Sequence, residues 1–342
     1  KIKKIYENLN KNHLLLFIIL VFLLIVLSLL EIVSLASIPV LLNSILDQKN
    51  FNLSFLDFGF IKNNLFNMSQ REQIQYLSIF IVFLFIFKNL FHASIIYFQG
   101  HLVKNIKIFL SKKLFNFYIN QNYLKFIKKN SSILIRTLSV DVGNTTIYLL
   151  NLINLTKECL ILISIIFLLF FSNTEVSIFL FFIFFIIALI FYYFNKKKLF
   201  KRGKIIQSLS SNVIKIIYEL VGLFKEFKIY NLKNYHYRHY SKKVQEAEKN
   251  VFLNYFVTSL PRLFLELTAV VLIVLIIFIQ LQYENDVINV LPFLSLVVVA
   301  ALRLIPVFNS LTTSLSNLKA IQPSFDLIFS ELDKIRLKNE SE

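Results

Sequence analysis

Six long apolar runs decide what this chain can become. They lie at about 14–42, 74–98, 147–171, 176–194, 253–280 and 290–315. Each is near or above the roughly 20 residues an α-helix needs to cross a hydrocarbon core. Backbone polar groups in hydrocarbon must bond internally, which leaves only helices and closed β-barrels. A barrel is built from many short alternating segments divided by turns. Only five Gly and five Pro occur in 342 residues, so turn chemistry is scarce and long helices follow. Apolar residues make up 56% of the chain, above the 45–50% or so of soluble domains. The fold class is an all-α membrane protein with six transmembrane helices. Leu35-Ala36-Ser37 resembles a signal-peptide cleavage site, but the run from Leu14 to Leu42 exceeds the roughly 7–15 residues of a signal h-region. Cys159 is the single cysteine and excludes an internal disulfide.

The charges orient the spans. Of the 37 Lys and Arg, 30 fall in four segments: 1–13, 98–146, 196–249 and the tail from 317. On the other side, 47–72 balances three basic residues with three acids, and the connections 172–175 and 281–289 carry no basic residue. This is the positive-inside pattern. It places both termini and both long connections in the cytosol, with 47–72 as an external lid, in a multi-pass protein of the cell (inner) membrane. The net charge of +17 is thereby accounted for, and nucleic acid is not an expected partner.

The two cytosolic connections share a design, a span that continues as an amphipathic helix, bends and returns. In Lys196–Lys249, 14 basic residues face four acids, and apolar residues recur at Ile205, Leu209, Val213, Ile216 and Leu220. That three-and-four spacing is helical. Gly222 is the expected break, since glycine costs about 1 kcal/mol in a helix interior. A short transverse helix is expected at about Leu223–Leu232, with Phe224, Phe227 and Tyr230 on one face and Lys225, Glu226 and Lys228 as its rim. In the first connection the polar break is Gln121–Ser132, where Ser131 or Ser132 can cap the helix that follows. An aromatic face at the tip of a cytosolic stalk has no membrane to cover it and implies a protein partner.

Several charges sit within the spans. Counted at about 1.5 Å per residue, Lys88, Arg262 and Arg303 fall in the cytosolic half, Lys157, Glu158 and Glu266 near the midplane, and Glu31 in the outer half. A charge at the membrane centre costs about 2.5–3.5 kcal/mol or more, so these side chains face other helices or a wet cavity. Two readings stand. The charges pair with one another, as Arg262 and Glu266 can at i, i+4. Alternatively the inner-half cations attract the phosphate or pyrophosphate of a substrate, a task guanidinium suits through bidentate hydrogen bonds. His92 and His101 flank the inner end of the second span and are packing or interfacial residues, since two His without carboxylate or thiolate neighbours make a poor metal site. Pro39, Pro261, Pro292 and Pro306 sit within or near spans and let helices bend.

Six spans, two long helical connections and a helical tail resemble the transmembrane domain of ABC exporters (type-1). Leu260-Pro261-Arg262-Leu263-Phe264-Leu265-Glu266 and Ala301-Leu302-Arg303-Leu304-Ile305-Pro306-Val307-Phe308-Asn309 look like the fifth and sixth spans of the bacterial lipid-linked oligosaccharide flippase family. Gly222–Tyr230 is similar to that family's second coupling segment, Gln121–Ser132 resembles its first, and Glu31 and Glu158 fall where its first and third spans carry acids. The resemblance implies a transmembrane domain over 1–320 and a cytosolic linker over 321–342 toward a nucleotide-binding domain. It also implies that Lys88, Arg262, Arg303, Glu31, Glu158 and Glu266 line the substrate path. Coupling to the ATPase then falls to Tyr123, Leu124, Phe126, Gly222, Phe224, Phe227 and Tyr230.

One departure matters. The five glycines, at 59, 100, 143, 203 and 222, never stand five apart. No Gly-x-x-x-x-Gly-Lys-Ser/Thr phosphate cradle is therefore present, and no covalent chemistry is expected in these residues. ATP and Mg are expected on a partner nucleotide-binding domain, either fused in a longer chain or separate, and a second transmembrane subunit, a copy of this chain in a homodimer or a related chain, completes the path. The implied cargo is a lipid-linked oligosaccharide or another amphipathic anionic lipid. A peptide or drug exporter is the alternative within the same superfamily, and a non-transporting scaffold or receptor is the alternative outside it.

Overall fold

The computed structural model describes residues 11–46, 70–124, 130–172, 174–283 and 287–341. In chain order the elements are α1 (Lys11–Leu46), α2 (Gln70–Ile119), α3 (Ser131–Arg136), a π-helical turn (Thr137–Asp141), α4 (Val142–Ser172), α5 (Thr174–Gly222), α6 (Phe224–Ile229), α7 (Lys233–Tyr283) and α8 (Val287–Ser341). The described residues contain no strand. Each of the six apolar runs lies within one helix. Among the described residues, His13–Leu41, Arg71–Ile119 and Ser131–Leu168 are long and apolar enough to cross a membrane. The lid expected at 47–72 falls outside the described residues up to 69, and its last three residues open α2.

Helices α2, α5, α7 and α8 run for 50, 49, 51 and 55 residues. At about 1.5 Å per residue each exceeds 70 Å, more than twice the hydrocarbon thickness of about 30 Å. About half of each helix therefore projects beyond any membrane and forms a stalk. Pro39 and Pro261 lie inside α1 and α7 without ending them.

The main core is where α1, α2, α4 and α8 meet. Leu20 and Leu24 of α1, Leu102 and Leu110 of α2, Val142 of α4 and Phe325 of α8 are all almost fully buried there. Phe325 stacks on Tyr148 at 4.2 Å and packs on Phe329 at 4.3 Å between ring centroids, contacts that add to the area the rings bury. Within the segment expected as a linker, 321–342, side chains from Phe325 to Ile335 thus belong to the core. Phe325, Ile328, Phe329 and Leu332 are at most 1% exposed, and α8 passes through residue 321 without interruption. Charged residues alternate at helical spacing with this buried apolar stripe.

Helices α5 and α7 pair with each other, where the Arg202 guanidinium donates to the Leu253 carbonyl at 3.2 Å. Gly203 sets how closely α5 crosses α8. A Cβ at this position would stand 2.0 Å from the Ala320 carbonyl oxygen, so only glycine permits this approach.

Both polar breaks are present, with local chemistry that differs from expectation. The cap of α3 is Asn130, not Ser131 or Ser132. Its Oδ1 accepts from the Ser132 N–H at 3.0 Å and the Ser132 hydroxyl at 2.8 Å. Asn130 has the extended backbone an N-cap needs, which puts both serines inside the helix. In the second connection Gly222 ends α5 without a positive φ. The turn is made at Leu223 (φ −116°, ψ 29°) and at Asn231, whose φ of 52° is left-handed. Asparagine tolerates that region because its short side chain can bond locally. Helix α6 lies between them, shorter than expected.

Candidate functional site

Glu31 of α1 lies 1% exposed between two cations brought by two other helices. Its Oε2 is 3.5 Å from Lys88 Nζ of α2, and its Oε1 pairs with Arg303 Nε of α8. Lys88 also donates to Ser34 Oγ at 3.2 Å, and Ser34 donates in turn to the Glu31 carbonyl at 2.9 Å. Phe85 lies 4.5 Å below the ammonium and adds a cation–π contact. The approach of α1 is helped by small side chains, since Ser28, Ser34, Ala36 and Ser37 are all buried. Two cations on one carboxylate leave one excess positive charge. The Lys88 side chain is 9% exposed and that of Arg303 34%, so Arg303 is the cation with an open side.

Glu31 therefore stands level with Lys88 and Arg303, not in the opposite half. The run 14–42 is about 43 Å long as a helix, longer than the roughly 30 Å it must span, so a count from either end misplaces a residue by more than a turn. The six expected path residues do not form one constellation. Glu31, Lys88 and Arg303 meet. Glu158 instead pairs with its neighbour Lys157 at 3.1 Å. Arg262 and Glu266 pair at 2.7 Å on an exposed face of α7, as their i, i+4 spacing allows. His101 is exposed, and His92 is partly buried one turn along α2 from Lys88. No group of three metal-ligating side chains occurs among the described residues.

A second buried charge pair was not read from the sequence. The Arg136 Nε donates to Asp141 Oδ2 at 2.8 Å, with the side chains 7% and 1% exposed. The Arg136 Nη1 donates to the Gln207 carbonyl at 2.9 Å and to the Ser211 hydroxyl of α5. Asp141 Oδ1 accepts from Gln207 Nε2 at 3.2 Å and from the Ser324 hydroxyl of α8 at 2.7 Å. One ion pair thus ties the entry of α4 to the stalk portions of α5 and α8. The π-turn makes it possible. Residues five apart on an α-helix point ~140° away from each other at 3.6 residues per turn, whereas the wider turn at Thr137–Asp141 brings them to one side.

The described residues at the stalk tips present exposed apolar side chains. Tyr123 and Leu124 are 74% and 69% exposed, while Phe126 lies outside the described residues. Around α6, Val221, Phe224, Ile229 and Tyr230 are 57–75% exposed. Phe227 does not join that face fully. It is half-buried against His236, with ring centroids 4.1 Å apart. Lys225, Glu226 and Lys228 are exposed around it as a charged rim.

No family model matches the sequence. Among solved structures the chain is similar to a bacterial Atm1-family ABC exporter with ATP bound, with a TM-score of 0.68, 10% sequence identity and 91% of this chain covered. It spans 53% of that neighbour's length. With the long helices and projecting stalks described above, this likeness shows the architecture: the chain has the all-α transmembrane-domain fold of an ABC exporter.

Proposed function

We propose that this chain is the membrane-spanning half of an ATP-driven exporter whose cargo is an amphipathic anionic lipid, of the lipid-linked oligosaccharide kind. The observation that carries the reading is the surplus cation at Glu31–Lys88–Arg303, drawn from three helices, with Arg303 open on one side. A phosphate or pyrophosphate entering beside α8 finds a guanidinium that is already oriented and only partly neutralised, a setting for charge-assisted, bidentate binding. Because Glu31 is shared, an anion that takes Arg303 leaves Glu31 with Lys88, so binding strands no carboxylate. The work comes from a nucleotide-binding domain holding ATP and Mg, fused in the complete chain or separate. That domain seats the exposed apolar tips at Tyr123–Leu124 and α6. A second copy of the chain encloses the path, in the cell membrane with both termini cytosolic. Rigid stalks of this length carry movement at the tips to the level of Arg303.

Arg303→Ala tests the site. In the assembled transporter, the concentration of a pyrophosphate-linked lipid needed for half-maximal ATPase stimulation is expected to rise about tenfold or more, the worth of one charged hydrogen bond. Basal ATPase and melting temperature are expected to hold, because Lys88 still answers Glu31. A lower melting temperature with unaltered substrate dependence would make Arg303 a structural partner and remove the head-group site. Stimulation by neutral drugs or peptides alone would favour the other exporter class.

A further inference from the structure

The exposed face of α5 carries a pattern that the transport reading does not use. Ile186, Ile190, Tyr193, Lys197, Lys201 and Lys204 follow one another at steps of four, three, four, four and three residues, and all six are exposed. That spacing places them on a single stripe of the helix. Read along the axis, the stripe passes from aliphatic to aromatic to cationic. Phe194 beside it is 68% exposed, and Lys196 Nζ lies 4.5 Å over the Tyr193 ring. Ring and ammonium thus meet where the apolar run ends, the place that interfacial aromatics and lysines occupy at a bilayer surface.

The charge around it is one-sided. From Lys196 to Tyr218 there is no acidic residue, and six Lys or Arg fall within 196–204. Lys197, Lys198, Lys201 and Lys204 form no ion pair among the described residues, whereas two lysines further along the stalk do. Lys215 meets Glu219 at 3.6 Å and Lys243 meets Glu246 at 3.1 Å. The positive-inside bias accounts for basic residues within about 15–20 residues of a span end, and so for the presence of this cluster. It does not account for the alignment of exposed lysines on one stripe below exposed apolar side chains.

We propose that this stripe is a docking surface for an anionic phospholipid of the adjacent leaflet, with acyl chains along Ile186 and Ile190, the glycerol region at Tyr193 and the phosphate among Lys197, Lys201 and Lys204. From Ile186 to Lys204 the helix rises about 27 Å, comparable to one leaflet with its head groups. A free phosphate would use the lysines but not the apolar half. A second copy of the chain is a poor occupant, since clustered unpaired lysines are depleted in interface cores. The proposal rests on α5 and holds whether or not the cargo is a lipid.

The test reconstitutes the complete transporter in phosphatidylcholine bilayers containing spin-labelled phosphatidylglycerol or spin-labelled phosphatidylcholine and measures the immobilised fraction of each. The unmodified protein is expected to prefer phosphatidylglycerol at low salt, and 0.5 M salt to abolish the preference by screening. Each lysine near the surface contributes up to about fivefold. The variant Lys197→Gln/Lys201→Gln/Lys204→Gln is therefore expected to lose about tenfold or more of the preference. The equally charged control Lys215→Gln/Lys233→Gln/Lys242→Gln is expected to keep it. Equal loss in both variants would reduce the effect to net charge and overturn the site. So would a preference that survives high salt, or the absence of any preference in the unmodified protein. Displacement of the labelled lipid by millimolar inorganic phosphate would assign the lysines to a soluble anion instead.

Discussion

Asp141→Ala is expected to lower the stability of the chain by about 3–5 kcal/mol, the cost of removing one partner from a buried ion pair. Arg136 stays 7% exposed beneath α5 with its charge unanswered. Gln207 and Ser324 lose the carboxylate they donate to. Three helices are joined at this point, so the loss should appear as one cooperative shift in a circular-dichroism melt of the purified protein. Asp141→Asn keeps an acceptor for Ser324 and is expected to lose less. Replacing the pair together, Arg136→Met with Asp141→Leu, is expected to recover most of the stability, because two apolar side chains strand no charge. A change below about 1 kcal/mol for Asp141→Ala would mean that water reaches the pair and that it does not hold the stalk together.

The second large effect is expected at the tip. Phe224→Asp with Tyr230→Asp changes two side chains that are 57% and 70% exposed. Folding and ATP binding should therefore survive, as surface substitutions usually stay within about 0.5 kcal/mol. If these rings are anchors in a groove of the nucleotide-binding domain, their loss costs 2 kcal/mol or more, about thirtyfold in the strength of the contact. Transport per ATP hydrolysed should fall accordingly. Phe227→Asp is the less clean probe, because Phe227 packs on His236 and its replacement disturbs the hairpin itself. Wild-type coupling in the double variant would place the contact elsewhere.

What could be read from the sequence was what periodicity and local spacing encode. The apolar runs, the helical stalks, the break after Gly222 and the pairing of Arg262 with Glu266 all depend on neighbours within about a turn. Contacts between distant segments were legible only in part. Glu31, Lys88 and Arg303 were each expected to face protein or water. That they share one site depends on the levels of three helices, and a run longer than the bilayer does not fix its own level. Arg136 and Asp141 were hidden by their spacing of five, which separates them on an α-helix and joins them only across a π-turn. Gly203 is ordinary as a helical residue, and its meaning lies in the Ala320 carbonyl 117 residues further on. The buried stripe of Phe325, Ile328, Phe329 and Leu332 was legible as helix, but the segment was assigned to a linker because the resemblance to ABC exporters implied one there.

The proposed movement of an anionic lipid past Arg303, driven by nucleotide, is tested most directly in proteoliposomes holding the chain assembled with a nucleotide-binding domain. A fluorescent pyrophosphate-linked lipid is placed in the leaflet on the ATPase side, and its loss from that leaflet is followed with and without Mg·ATP. The expected result is movement that requires Mg·ATP, weakens in Arg303→Ala and fails in the Phe224→Asp/Tyr230→Asp variant. Movement at one rate with and without nucleotide, or none while ATP is being hydrolysed, would contradict it.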